Sequence, residues 1–120
     1  MEVSKVHDIS ILHLFGEVSL MEIDRIGQTL ESLKRNEHYK VLLDMTNVDH
    51  IHYRVMKHLV ASAEGFRDQD GDIKMAQLSD ETKQVIQFTG ADQYLEDYAT
   101  ISEAILSFLN KVDERDSLFQ

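Results

Sequence analysis

The sequence predicts a single α/β domain in which strands and helices alternate. Three observations carry this prediction. Apolar residues switch along the chain between short strand-like runs and helical spacing,. Val41-Leu42-Leu43 is a short continuous apolar segment, as a central strand covered on both faces requires,. A length of 120 residues, 42% hydrophobic and 28% charged, suits one globular fold and is too short for two comfortable ones,. The predicted order is ββαβαβαβα, with four to five strands and about four helices. Such alternation implies parallel pairing through right-handed crossovers.

The elements follow from local signals. Residues 2–15 read as two short strands, with Asp8 at the turn and Ile9, Ile11, Leu12, Leu14 and Phe15 as the apolar run,. Gly16 breaks that pattern. Ser19 and Glu22 have capping-box spacing, and Leu20, Ile23, Ile26, Leu30 and Leu33 recur at helical intervals, predicting a helix over about 20–35,. A central strand then runs from Val41 to Met45, followed by a turn over 46–52. Val55, Met56, Leu59, Val60, Ala63 and Phe66 give a second helix of about four turns, beginning near Tyr53,. Asp70-Gly71 signals a turn before a strand at 72–76,. Ser79 caps a short helix that Gly90 ends in left-handed conformation,. Tyr94-Leu95 and Tyr98 suggest a last strand, and Thr100 with Glu103 opens the final helix,. The domain is expected to span 1–112, with a frayed tail at 113–120.

Composition removes several classes of function. A net charge of −10 opposes a broad electrostatic footprint on nucleic acid,. There is no cysteine, which excludes disulfides, thiolate catalysis and cysteine-ligated zinc,. No apolar stretch approaches the roughly 20 residues needed to cross a bilayer, so no membrane span is expected. The first ten residues, MEVSKVHDIS, lack the basic start and apolar core of a signal peptide, so a cytoplasmic protein is expected,.

His50, His52 and His58 invite a metal, yet H-x-H with a distant third histidine falls short of three or four converging ligands,. Asp68, Asp70 and Asp72 resemble part of a calcium loop, but Gly71 is misplaced and no glutamate closes it,. No nucleophile elbow, phosphate loop or dinucleotide fingerprint occurs. No cofactor, no metal and no enzymatic activity are therefore expected. The methionines Met21, Met45, Met56 and Met75 fall on faces assigned to the core.

The unexplained feature is cationic. His50, His52, Arg54, Lys57 and His58 crowd the entrance of the second helix in an otherwise acidic chain. Cations there oppose the helix dipole at about 0.3–1 kcal/mol each when exposed. Backbone donors and cations converging at that point suit an anion or an acidic partner surface.

Three segments resemble the STAS domain family, which includes anti-sigma factor antagonists and domains of sulfate transporters. They are residues 41–49 (VLLDMTNVD), residues 79–91 (SDETKQVIQFTGA) and residues 98–105 (YATISEAI). The resemblance implies a mixed sheet with right-handed βα progression. It also implies a bacterial regulatory role, in which a cytoplasmic domain binds an anti-sigma factor or switch kinase and thereby controls transcription. Family members carry a phosphorylated serine at the start of the second helix, and the added charge of about −1.5 to −2 weakens partner binding. Here the matching stretch is His52-Tyr53-Arg54-Val55-Met56, and Arg54 occupies the phosphoacceptor position. The expected function is protein-partner binding without the serine switch. The partner surface comprises His50, His52, Tyr53, Arg54, Met56, Lys57 and His58, with Tyr53 and Met56 supplying apolar area. Two alternatives stay open: a sensor of small anions or nucleotides at the same helix end, and a partner switch phosphorylated elsewhere, at Thr46 or Ser62.

Overall fold

The computed structural model describes the backbone of residues 1–118 and the side chains through Leu109. Its five strands are β1 (Glu2–Val6), β2 (Ile9–Val18), β3 (Lys40–Ile51), β4 (Asp72–Ala76) and β5 (Asp97–Tyr98). Its helices are α1 (Ile23–Arg35), α2 (Tyr53–Arg67), α3 (Asp80–Thr89) and α4 (Ile101–Leu118). Short 3-10 turns at Leu20–Glu22 and Ala91–Gln93 precede α1 and β5. The predicted element order is the observed one. The expected frayed tail at 113–120 lies, for its side chains, outside the described residues.

The sheet is mixed, with strands in chain order β1-β2-β3-β4-β5. β1 pairs antiparallel with β2, and the later pairs are parallel. One face carries the larger core. There Leu12, Leu43, Met45, Ile73 and Met75 meet Ile26 and Leu30 of α1, Val55, Met56, Leu59 and Phe66 of α2, and Ile86 of α3. The opposite face is covered in part by α4, through Ile9, Ile11, Leu42, Ala76, Ala104 and Phe108. Burial of such side chains contributes about 1.5–3 kcal/mol each. Lys74 is buried beneath α4. Its ammonium reaches Ser107 at 2.8 Å and Glu96 at 3.4 Å, and it stands 4.3 Å from the centre of the Phe108 ring.

Several boundaries differ from those predicted. The turn expected at 46–52 is strand: β3 continues to Ile51 and remains paired with β2 to the end. β2 likewise passes through Gly16, which adopts φ 63° between two register shifts. The α-helix predicted from residue 20 begins at Ile23, after a tighter turn capped by Ser19. Tyr94-Leu95 lies outside the last strand. Met21, assigned to the core, is 89% exposed, whereas Met45, Met56 and Met75 are buried as predicted. Only the first five residues of β3 pair with β4. Beyond them β2 and β3 form a two-stranded arm that leads into α2.

Candidate protein-docking surface at the entrance of α2

The arm ends where His52 donates its backbone N–H to the Val18 carbonyl at 2.9 Å. From there the chain turns directly into α2. His52 is the N-cap, with extended backbone, and its Nδ1 accepts the Arg54 backbone N–H at 3.1 Å. Capping by a ring nitrogen demands an unprotonated Nδ1, because an imidazolium has only donors. The His52 ring also stacks on Tyr53, with centroids 4.7 Å apart.

Tyr53 organises the cations. The Arg54 guanidinium and the Lys57 ammonium each stand 5.9 Å from the centre of its ring. Both are exposed, and among the described residues neither is in an ion pair. No acidic residue occupies the first turn of α2. Positive charge therefore faces solvent at a helix end whose dipole already points positive. The arrangement behind the penalty predicted from sequence is present, with no acidic residue in the first turn of α2 to offset it.

Not every predicted residue joins this surface. Met56 is 0% exposed and packs in the core beneath α2, so it offers no apolar area to a partner. The helix turns it inward beside Val55. His50 is exposed on β3 in register with Glu17. His58 faces α1 instead, close enough that a Cβ on Gly27 would meet its Nε2 at 3.2 Å. It lines a groove of about 360 Å³ with Asp24, Gly27 and Arg35. The three histidines thus point to separate places, and among the described residues no group of three potential metal ligands converges. Asp72, considered with the acidic turn, is held by Arg67 at 2.8 Å.

Sequence reading missed two exposed apolar residues near this helix. Leu20 and Met21, in the 3-10 turn beside the start of α2, are 42% and 89% exposed. The turn that carries them is in contact with α2. A 3-10 turn has three residues per turn, so extrapolating α-helical spacing back through it assigns Met21 to the wrong side. The alternative acceptor hydroxyls are occupied: Thr46 donates to the Asp44 carboxylate and Ser62 to the His58 carbonyl.

A mixed five-stranded sheet with three helices on one face and one on the other, read together with the family signature, defines the class. The signature of the STAS domain matches residues 1–104, and the chain belongs to that family. Similar solved structures include a candidate anti-sigma factor antagonist from Thermotoga maritima, with a TM-score of 0.82 at 18% identity over 89% of this chain and 92% of that one. The unphosphorylated anti-sigma factor antagonist SpoIIAA gives 0.76 at 16% identity over 94% and 96%. A sulfate transporter family protein from Wolinella succinogenes gives 0.75 at 17% identity over 90% of each chain. At these identities the likeness is one of fold. No curated protein gives a significant match. No described helix is long and apolar enough to cross a membrane.

Proposed function

We propose that this chain is a regulatory protein-interaction domain, resembling anti-sigma factor antagonists, that docks its partner through the entrance of α2 without a serine phosphoswitch. One observation carries the reading: Arg54 and Lys57 flank an exposed Tyr53, the first turn of α2 holds no acidic residue, and among the described residues neither cation is in an ion pair. The partner is a protein such as an anti-sigma factor or switch kinase, presenting carboxylates to the cations and an apolar side chain to Tyr53, Leu20 and Met21. Arginine and tyrosine are the residue types that most often dominate binding energy at protein interfaces. Arg54 has no hydroxyl, so phosphorylation of the serine type cannot release the partner at this position. Its fixed charge leaves recognition permanently enabled.

The anion- or nucleotide-sensor reading finds less support. The strand order never reverses across the sheet, so the fold has no topological switch point of the kind that opens a ligand crevice in doubly wound sheets,.

The test is affinity capture from the native cell with the full chain as bait. Arg54→Glu should lose partner recovery at least tenfold at physiological salt, and more at low salt, where charge complementarity acts over longer range. Equal recovery by wild type and Arg54→Glu at both salt concentrations would remove the docking surface from this helix end.

A further inference from the structure

The open edge of the sheet carries a hydrogen-bonded chain remote from the docking surface. Ser4 Oγ lies 2.8 Å from His13 Nε2, and His13 Nδ1 lies 2.7 Å from Asp44 Oδ2. The other oxygen of Asp44 accepts the Thr46 backbone N–H at 3.0 Å and the Thr46 hydroxyl. Sheet register brings the three together. Ser4 is paired with Ile11 across the β1–β2 ladder, and His13 lies between Glu2 on β1 and Asp44 on β3. Hydroxyl, imidazole and carboxylate thus come from three adjacent strands, all on the face that α4 covers only in part.

The order of contacts determines the chemistry. An ionised carboxylate can only accept, so His13 carries a proton on Nδ1, and in the neutral ring that tautomer turns the Nε2 lone pair toward the serine hydroxyl,. Burial pushes the Asp44 carboxyl up, but the hydrogen bonds from Thr46 and then from His13 outweigh it and hold the group below its ordinary value. A cross-strand polar ladder would by itself help to hold the edge. A ladder does not require an oriented base, however, and here the base is oriented by a third group and already touches a hydroxyl. Nucleophile, base and orienter in hydrogen-bond reach are the signature of an activated serine.

We propose that Ser4 is a nucleophilic modification site for small activated acyl donors, with His13 as its general base and Asp44 as the positioning residue. Ser4 Oγ attacks the carbonyl carbon of an activated ester while its proton passes to His13 Nε2. The tetrahedral adduct collapses with cleavage of the bond to the leaving oxygen, which takes that proton and departs as the alcohol or phenol. Ser4 is left as an ester and His13 returns to its neutral tautomer. Ser4 is exposed, and the His13 and Asp44 side chains are 29% and 14% exposed, so small donors reach the hydroxyl without a shaped acyl pocket.

The experiment treats the full-length protein with p-nitrophenyl acetate and, separately, with a fluorophosphonate, followed by intact-mass measurement and peptide mapping. A single adduct on Ser4 is expected, absent in Ser4→Ala and formed about 100-fold more slowly in His13→Gln. Asp44→Asn should also slow labelling, with ¹⁵N shifts showing that His13 has lost its Nδ1–H tautomer. Thermal melts establish which variants are folded, and either base-side variant suffices if the other is not. Arg54→Glu should label like wild type, which separates this site from the docking reading. Adducts spread evenly over several serines, or unchanged Ser4 labelling in a folded His13→Gln protein, would overturn the assignment.

Discussion

Met56 and Arg54 are two positions apart and do opposite things. Arg54 stays in solvent beside Tyr53, while Met56 is fully enclosed beneath α2. Met56→Ala should therefore cost about 2–5 kcal/mol of folding stability, measured by chemical denaturation, and leave partner capture unchanged per folded molecule. The exposure of Arg54, Lys57 and Tyr53 was legible because helical spacing places them on the outer side of the first turns of α2,. Met56 carried two readings, core by helical spacing and partner surface by its place in the first turn, and only the first holds. The Ser4–His13–Asp44 chain had no local signal at all. Its members are separated by nine and 31 positions, and only strand register joins them.

Among the elements, the connection from α2 to β4 shows a glycine doing something other than its usual turn duty. Asp70 takes the left-handed conformation, φ 61°, while Gly71 admits the backbone of Tyr39. A Cβ at Gly71 would sit 1.9 Å from the Tyr39 carbonyl oxygen, which already accepts the Asp72 N–H at 3.0 Å. Gly71→Ala should destabilise the fold by about 3 kcal/mol in a denaturant titration, since the obstacle is backbone with no rotamer to change. The Asp70-Gly71 pair was readable as a turn, but the division of labour within it was not. β3 was under-read for a related reason. Register shifts in its pairing with β2 put buried residues at Met45, Val48 and Ile51, every third position, and erase the alternation by which a strand is recognised,. The helices were legible because Ser79 and Thr100 cap as predicted and Gly90 closes α3 at φ 74°.

For the whole molecule, acid should act first on the β2–β3 side of the sheet. Asp44 is held below the ordinary aspartate value of 3.8 in the folded state, where Thr46 and His13 overcome the effect of burial. Asp8, hydrogen-bonded to Lys40, is lowered as well, but it is 63% exposed and solvent screens its share,. A carboxyl depressed by folding contributes its stability in full above the unfolded value and loses it as pH falls through the folded one. Wild type should therefore lose stability relative to Asp44→Asn as pH drops below about 4 in urea titrations followed by circular dichroism. Parallel curves for the two proteins down to pH 2 would show that this carboxylate does not govern the acid limb.

The unequal lengths of β3 and β4 have a mechanical consequence. Past Asp44 the arm hydrogen-bonds to a single neighbouring strand, and this is the portion that delivers His52 and Tyr53 to the surface. Free energies of local opening fall where backbone partners are few, so amide exchange is expected to be faster here than in the paired centre of the sheet, even though Met45, Val48 and Ile51 anchor the arm in the core,. A protein clamped across it would quiet that opening, and its arrival would register as stiffness gained more than as shape altered.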